Sequence, residues 1–345
     1  MSGWTMPAEG DEHERTWLAW PGGGYTLGDT AAEAEEARAT WAAVANAVAQ
    51  FEPVTVLVPA SELAEATRRL SAEITVQEAS LDDAWMRDIG PTFVRDASGA
   101  VAAVDWVFNG WGAQDWASWS RDAEIARTVA GLAGVPVIGS SLVNEGGGIH
   151  VDGAGTVLAT RTVQLDPGRN PDWSAAQVEA EFARTLGAGS TIWLPRGLSR
   201  DSDTYGTRGH VDIVATLTRP GVALVHEQRD ASHPDAAIGA EIVAALRSQP
   251  DASGDELEIV RLPAPTVLRD AEGFVDYSYV NHALVNGGVV ACAFGDPNDD
   301  RAVGILAEMY PGRSVVAVDA RALFARGGGI HCITQHQPVA LRSPA

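Results

Sequence analysis

The segment Gly327-Gly328-Gly329-Ile330-His331-Cys332 combines a flexible turn with a reactive side chain. Three successive glycines allow the backbone to adopt positive φ angles and to approach a ligand closely. A cysteine directly after such a turn is placed as a nucleophile would be. The alternative is that Cys332 is a small buried apolar residue, as most free cysteines are, and this is the interpretation favoured for Cys292 in the apolar run GGVVACAFGD. In an extended chain the side chain of His331 would point away from that of Cys332.

His210 and Asp212 form a His-x-Asp pair, which could supply an acid or base together with a carboxylate. If the chain is a strand from Val211 onward, both side chains point to the same face. His150 and Asp152 have the same spacing. The alternatives for such pairs are a structural contact and a metal site, which would need a third ligand.

Two acidic residues lie beside turn signals. Asp88 precedes Gly90-Pro91, and Glu145 precedes three glycines. The simplest interpretation is that Asp88 pairs with Arg87 or caps a turn and that Glu145 is a solvated loop residue.

Aromatic and glycine-rich segments suggest two kinds of ligand. Aromatic faces bind cations, although a cluster of tryptophans is more often part of a core. No glycine-rich pattern has the spacing of a dinucleotide fingerprint or a P-loop, so a nucleotide cofactor is rejected. The clustered tryptophans are Trp106, Trp111, Trp116 and Trp119.

Hydrophobic periodicity predicts the elements that must position these residues. The predicted helices are Asp29–Phe51, Ser61–Leu70, Trp119–Ala133, Ala175–Leu186, Ala236–Arg247 and Asp300–Met309. The predicted strands are Val54–Val58, Ile74–Val76, Val135–Ile138, Val157–Thr160, Thr191–Leu194, Val211–Leu217, Val222–Val225, Leu257–Leu262, Gly288–Phe294 and Ser314–Val318. Their alternation along the chain predicts an α/β fold.

A weak internal repeat accompanies this alternation. Five units each carry one polar loop followed by a strand. Five such loops suggest a closed arrangement around a central site, and an ordinary open sheet with polar loops is the alternative. The loops are DDAWMRDIGP, NEGGGIHVDG, DTYGTRGHVDI, DYSYVNHALVNGG and RGGGIHC.

Charge and composition exclude several classes of partner. The chain has 345 residues, with 24 Lys and Arg against 46 Asp and Glu, which gives a net charge of −22. This charge argues against nucleic acid and against an anionic membrane surface, and it would attract a cationic ligand. The sequence has no long apolar span and its first residues do not form a secretory signal, so we expect a cytoplasmic protein with two free thiols.

Together these motifs resemble the agmatine deiminase family, within the guanidine-modifying hydrolases that include the peptidylarginine deiminases. The resemblance extends in order along nearly the whole chain. The matching segments are Met6–Pro21, Leu81–Val94, Asp105–Gly112, Asn144–Thr156, Ile192–Gly197, Gly209–Asp212, Ser278–Asn281, Phe294–Pro297 and Gly327–Gln335.

The resemblance implies a five-bladed α/β propeller with pseudo-five-fold symmetry, with residues 1–345 as a single domain around a central active site. It implies no metal and no organic cofactor, a small cationic guanidino compound as the partner, and it leaves a homo-oligomer open. The implied site consists of Cys332 as nucleophile, His210 as general acid and base, Glu145 as the acid that orients the histidine, Asp88 and Asp212 as the acids that bind the guanidinium, and Trp85 and Trp111 as further substrate-binding residues.

The implied reaction converts agmatine, or a close guanidino compound, with water to N-carbamoylputrescine and ammonia, a step of polyamine biosynthesis. It would proceed through a covalent thiouronium on the cysteine. Alternatives are deimination of a guanidino acid and transfer of the amidino group to an amine. A binding protein without catalysis is the alternative from another class, although binding alone needs no thiol.

Two arginines depart from the family pattern, which has uncharged or acidic residues at their places. If Arg208 or Arg326 turned inward, it would repel the far ammonium of agmatine and favour a guanidine with a neutral or anionic far end. Arg208 is therefore also a candidate substrate-binding residue. The alternative is that both point to solvent or pair with Asp201, Asp203 or another acid at the rim.

Overall fold

Helices and short strands alternate along residues 3–341, which are the residues described by the computed structural model. Among these residues, no helix combines the length and the apolar character needed to cross a lipid bilayer. The helices are α1 Gly24–Leu27, α2 Ala31–Val48, α3 Leu63–Arg69, α4 Met86–Ile89, α5 Gly110–Ala113, α6 Ile125–Ala133, α7 Arg161–Gln164, α8 Ala175–Leu186, α9 Asp235–Ser248, α10 Asp299–Met309 and α11 Arg321–Phe324.

Most of the strands are short and follow a helix or a turn. They are β1 Trp4–Thr5, β2 His13–Ala19, β3 Val54–Val58, β4 Thr75–Glu78, β5 Thr92–Asp96, β6 Val101–Val107, β7 Val137–Val143, β8 Ile149–Val151, β9 Thr156–Thr160, β10 Ser190–Leu194, β11 Ala215–Arg219, β12 Val222–Glu227, β13 Glu258–Pro263, β14 Ala283–Val285, β15 Gly288–Ala293, β16 Ser314–Asp319 and β17 Thr334–Pro338.

Local sequence explains the two clearest helices. Thr30 and Glu33 form a capping box at the start of α2, and the side chains that α2 buries follow helical spacing. Ser174 and Gln177 form a second capping box before α8, which ends at Gly187 in the left-handed conformation. Each of the six predicted helices overlaps an observed helix. The prediction for α8 has the observed bounds, whereas the helix predicted from Trp119 begins only at Ile125.

The strands form five sheets with one repeated pattern. In each sheet an antiparallel pair is followed by a parallel strand, and a helix connects the two parallel strands. The last strand, β17, pairs antiparallel with β2, so the two ends of the chain share a sheet. The sheets are β1-β5-β6-β7, β8-β9-β10, β11-β12-β13, β14-β15-β16 and β17-β2-β3-β4.

Burial differs between the strands of a sheet. Every residue of β3, β9 and β17 is buried, whereas the outer strands β7 and β16 alternate with exposed residues. Completely buried strands of this kind are covered on both faces, which is typical of an α/β fold. The predicted α/β class is therefore confirmed.

One predicted strand is wrong at its start. Val211–Ile213 is a 3₁₀ turn, and the strand begins only at Ala215. The chain turns here because side-chain acceptors from the preceding loop bind the backbone: the N–H of His210 donates to Asp201 Oδ2 at 3.0 Å and to Thr207 Oγ1 at 2.9 Å.

Candidate active site

Each of the five polar loops contributes to one buried cluster, and each lies at the first strand of the antiparallel pair in its sheet. Hydrogen bonds and ion pairs connect residues from all five loops. No member of the cluster is more than 6% exposed. Its members are Asp88, Glu145, His210, Asp212, Asn281 and Cys332.

Cys332 lies in a 3₁₀ turn, His331–Ile333, that follows the glycine segment. Gly327 has a φ of 99°, a conformation that favours glycine. Asn281 Nδ2 donates to Cys332 Sγ at 3.2 Å, and Asp212 Oδ2 lies 3.5 Å from the same sulfur. Burial raises the pKa of the Cys332 thiol well above its ordinary value, and the charges of Asp212 and Asp88 add to that effect. The resting side chain is therefore a thiol at neutral pH.

His210 lies between two carboxylates. Its Nε2 is 3.1 Å from Glu145 Oε2, and its Nδ1 is 3.8 Å from Asp88 Oδ1 without a hydrogen-bond partner. Burial alone would lower the pKa of His210, but the charges of Asp88 and Glu145 outweigh it and raise the pKa to about 9. The ring is therefore an imidazolium at neutral pH, with one N–H fixed by Glu145 and the other available to a substrate.

Glu145 stays ionised because Arg169 is buried against it. Arg169 Nε lies 3.0 Å from both carboxylate oxygens of Glu145. Burial raises the pKa of Glu145, but Arg169 and His210 outweigh that effect and lower it to about 2. Arg169 was missed from the sequence, where nothing distinguishes it from a loop arginine.

Asp88 and Asp212 differ in their partners. Asp88 Oδ2 accepts from Trp111 Nε1 at 2.9 Å, and its Oδ1 accepts from the N–H of Gly147 at 3.1 Å. Burial raises the pKa of Asp88 to about 6, although the His210 charge opposes it. Asp212 Oδ2 accepts from His331 Nδ1 at 2.8 Å, whereas its buried Oδ1 has no partner. Burial raises the pKa of Asp212, but His331 and His210 outweigh it, so the pKa falls below its ordinary value.

Gly147 forms one wall of the space between these groups. A Cβ at this position would lie 2.5 Å from His210 Nδ1 and 3.0 Å from the nearest carboxylate oxygens of Asp88 and Asp212. Only glycine allows the backbone to approach the three side chains so closely.

The two predicted aromatic residues lie beside this cluster, and Trp111 contacts it directly. Trp85 is buried, and its ring lies 2.7 Å from the position that a Cβ on Gly328 would occupy. Trp111 donates to Asp88 and has a φ of 55° and a ψ of 43°, which is unusual for a bulky residue. Such backbone strain persists where the surroundings fix it, often at functional sites.

Three aromatic rings, Tyr25, Trp116 and Tyr205, extend from Trp111 and form what we call the aromatic cap. Trp116 stacks on Trp111 with ring centroids 5.4 Å apart, and Tyr205 stacks on Tyr25 at 4.2 Å. The rings of Trp116 and Tyr205 meet edge to face at 5.2 Å. The carbonyl oxygen of Tyr205 lies 2.8 Å from the Cβ position of Gly327, so the cap lies against the glycine turn before the cysteine.

Neither of the two unusual arginines extends toward the cysteine. Arg208 Nη1 lies 2.9 Å from Asp166. Arg208 therefore pairs with an acid, although with neither Asp201 nor Asp203, the two acids named from the sequence. Arg326 is buried and donates to the carbonyl oxygens of Thr26 and Glu33 at 2.9 and 3.0 Å. The inward orientation considered for Arg326 is therefore wrong, because this side chain holds the end of α11 against α1 and α2.

The prediction that His331 and Cys332 point to opposite faces is also wrong. The chain is a 3₁₀ turn here and not extended, so both side chains approach Asp212. Asn281, which contributes the fourth loop's contact with the sulfur, was not predicted.

The second His-x-Asp pair has structural contacts. His150 Nε2 lies 2.7 Å from Thr216 Oγ1, and Asp152 Oδ1 accepts from the N–H groups of Ala154 and Thr156 at 2.8 and 2.9 Å. Within residues 3–341, no group of three or more His, Cys, Asp or Glu side chains is arranged to hold a metal ion.

Sequence comparison places the chain in a family. Residues 5–338 match the model of the Porphyromonas-type peptidyl-arginine deiminases, so the chain belongs to that family. It is 60% identical over 334 residues to a Streptomyces coelicolor protein named "Putative agmatine deiminase", with 96% of this chain and 98% of that protein covered. It is 42% identical over 361 residues to an agmatine deiminase of Stutzerimonas stutzeri, with 98% and 96% covered.

A solved structure supports the same relationship. The agmatine deiminase of Enterococcus faecalis superposes with a TM-score of 0.92 at 32% identity, and the alignment covers 98% of this chain and 97% of that one. Both the order of the elements and their spatial arrangement are thus shared over nearly the whole described chain.

Proposed function

We propose that this protein hydrolyses the guanidinium group of agmatine to a ureido group and ammonia, with Cys332 as the nucleophile. The observation that supports the proposal most strongly is that the cluster around Cys332 holds two buried polar atoms without partners. Cys332 Sγ lies 3.5 Å from Asp212, and both Asp212 Oδ1 and His210 Nδ1 are buried without a partner. Buried polar atoms normally have partners, so these atoms are expected to bind a ligand.

The charges of the site fit a guanidinium. A planar cation with several N–H groups can donate to Asp88 and Asp212 together, and such charge-assisted contacts would hold its carbon over the sulfur. The same cation offsets the carboxylate charges that raise the thiol pKa. Substrate binding therefore promotes formation of the thiolate.

Each group then has a role in a reaction of two steps, and the number of protons balances in each step. The thiolate attacks the guanidinium carbon, and the Nδ1–H of His210 is transferred to the departing nitrogen. Ammonia leaves, a thiouronium remains on Cys332, and the proton that the thiol released to solvent converts the ammonia to ammonium. Neutral His210 takes a proton from water as the water attacks the same carbon. The C–S bond breaks, the ureido product forms, and the second proton of the water returns to the sulfur.

Agmatine is the substrate named for the relatives, and the charges of this chain favour it over a guanidino acid. Arg208 is paired with Asp166, and Arg326 points toward α2. No observation here favours an anionic far end. The net charge of −22 would attract the dication as it approaches.

We further propose that the five sheets are the blades of a five-bladed propeller, in a single domain that acts without a metal or organic cofactor. The repeated strand order supports this arrangement, as does the contribution of one loop from each sheet to the same buried cluster. A cytoplasmic location remains a prediction from the sequence.

Ammonia release from agmatine, arginine and 4-guanidinobutyrate tests the function. The wild type should act best on agmatine, keep its rate after prolonged treatment with a chelator, and lose turnover in Cys332→Ala. Cys292→Ala is the control, because Cys292 is a buried thiol whose sulfur donates to a backbone carbonyl. Turnover by Cys332→Ala would contradict the mechanism. Guanidine binding without ammonia release from any compound would favour a binding protein.

A further inference from the structure

A second histidine lies behind the substrate-binding carboxylates. His331 Nδ1 is 2.8 Å from Asp212 Oδ2, and its Nε2 is 3.2 Å from Glu9 Oε2. All three side chains are buried, none more than 8% exposed. Glu9 comes from the segment before β2 and is remote in sequence from both partners. Contacts therefore connect Glu9, in the N-terminal segment, to His331, which precedes Cys332, and through His331 to Asp212.

From this geometry we infer that Glu9 and His331 are positioning residues that fix the charge and the orientation of Asp212. The inference rests on the proposed function, because Asp212 is given the task of binding the guanidinium. Neither Glu9 nor His331 is proposed to touch the substrate.

The direction of the hydrogen bonds supports this role. His331 occupies one oxygen of Asp212, and the other oxygen is left without a partner among the described residues. A carboxylate held by one oxygen presents the other in a fixed direction, which reduces the ordering required when the substrate binds.

The charges around His331 also support the role of Glu9 and His331 as positioning residues. Burial and Arg87 lower the pKa of His331, but Glu9 and Asp212 outweigh them and raise it above its ordinary value. Each ring nitrogen also faces a carboxylate oxygen, and both nitrogens can donate only when the ring is an imidazolium. Its charge keeps Asp212 ionised although Asp88 and Glu145 are close by, and an isolated buried carboxylate would otherwise tend to take up a proton.

Glu9 has the contacts needed to hold the histidine. Its Oε2 also lies 3.4 Å from His150 Nε2, and its Oε1 lies 3.6 Å from Arg87 Nη2. Arg87 in turn donates from Nε to the carbonyl oxygen of His331 at 3.3 Å. The charged or titratable groups around the ring are Asp212, Glu9, Arg87, His150, His282 and His336.

The test is the pH dependence of agmatine hydrolysis in Glu9→Gln, which keeps the shape of the side chain and removes its charge. His331 should lose its proton more readily, and Asp212 should then take up a proton at a higher pH. On the acid limb of kcat/KM, which protonation of Asp88 begins near pH 6, the second and lower step, caused by Asp212, should move up by about one pH unit, which is about tenfold at a pH below that step. The limb of kcat should move much less, because the bound guanidinium itself keeps Asp212 ionised. Glu9→Asp, which restores the charge, should recover most of the wild-type profile.

Glu52→Gln is the matched control, since Glu52 is a buried acid of the same region that lies 3.2 Å from His13 Nδ1. It should lower the melting temperature without moving the acid limb. If Glu9→Gln behaves as Glu52→Gln does, Glu9 is only structural and the inference is wrong.

A second measurement separates this inference from the proposed function. NMR titration of His331 in the free protein should find an imidazolium at neutral pH in the wild type and a lower titration midpoint in Glu9→Gln. Unchanged titration would overturn the inference whatever the enzyme's activity. A wild type without deiminase activity would overturn the proposed function, and the titration would still decide the charge of His331.

Discussion

Arg208 Nη1 lies 2.9 Å from each carboxylate oxygen of Asp166. Asp166 also accepts from Arg169 Nη1 at 2.7 Å, and Arg169 binds Glu145. The charges therefore alternate from Glu145, the partner of His210, outward to Arg208, whose side chain is 38% exposed. Arg208 lies at the outer end of this series of alternating charges. Because Asp166 offsets its positive charge, Arg208 should not repel a cationic substrate.

Arg208→Ala should therefore leave the choice of substrate nearly unchanged. The ratio of kcat/KM for agmatine to that for 4-guanidinobutyrate should favour agmatine in the wild type. In the variant it should change by less than about tenfold, because a partly exposed ion pair contributes at most about 1 kcal/mol. A wild type that prefers the guanidino acid, with a reversal in Arg208→Ala, would instead make Arg208 a specificity residue.

Asp88→Asn and Asp212→Asn should each reduce kcat/KM for agmatine strongly. Each removes one charge-assisted contact, worth about 1.5–3 kcal/mol, or roughly a ten- to hundredfold loss. Glu241→Gln is the control, because Glu241 forms an exposed ion pair with Arg196. An activity near that of the control would make the substituted acid structural.

The wild-type pH profile should depend on Asp88. Its pKa is raised to about 6, so Asp88 takes up a proton as the pH falls through that value. The neutral acid cannot offer a charge to the guanidinium, and kcat/KM should decline below about pH 6. A profile that stayed flat to pH 5 would contradict the assignment of Asp88 as an ionised ligand.

Much of the fold could be predicted from local signals. The spacing of apolar residues and the capping boxes identify α2 and α8, and the β-branched run Val54–Val58 is observed as β3 with those bounds. The start of β11 could not be predicted, because the turn at Val211–Ile213 depends on Asp201 and Thr207 binding the backbone of His210. Such tertiary contacts leave no local pattern.

Some residues of the site could likewise be predicted from the sequence, and others could not. Cys332, His210 and the three acids stand out by residue type beside glycines and turns, and the structure brings them together. Arg169, Asn281 and Glu9 act through partners that are at least 24 residues away in sequence. Nothing in a single sequence marks an ordinary arginine, asparagine or glutamate as buried, so these residues needed the structure.

The rate of alkylation should show whether Cys332 is a thiol or a thiolate before the substrate binds. Because the pKa of Cys332 is well above its ordinary value, a neutral haloacetamide should react slowly at pH 7 and faster as the pH rises, without a plateau below about pH 9. A cationic haloacetamidine of the same size should react at least about tenfold faster at pH 7, because it offsets Asp88 and Asp212.

Two variants make this comparison specific. Asp212→Asn should reduce the advantage of the cationic reagent, and Cys292→Ala should leave labelling unchanged. A plateau near pH 7 with the neutral reagent would mean that the thiolate is already formed in the free protein.

The aromatic cap should control access to the cysteine. Cys332 is only 5% exposed, the rings of Trp116 and Tyr205 extend from Trp111, and the backbone carbonyl of Tyr205 lies against Gly327 of the glycine turn. Tyr205→Ala removes the ring's contacts with Tyr25 and Trp116, each worth about 0.5–1.5 kcal/mol. Alanine keeps a Cβ, so the strained φ of 70° at this position is retained and only the ring is tested.

In Tyr205→Ala the neutral haloacetamide should therefore label Cys332 faster than in the wild type, while kcat/KM for agmatine should fall about tenfold, since water then enters the site more easily. Tyr25→Phe is the matched control, because it keeps the stacked ring and loses only the hydroxyl that donates to the carbonyl oxygen of Ala325 at 3.3 Å. It should resemble the wild type in both measurements. If Tyr205→Ala also resembles the wild type in both, the cap does not restrict the site, and the route to Cys332 lies elsewhere.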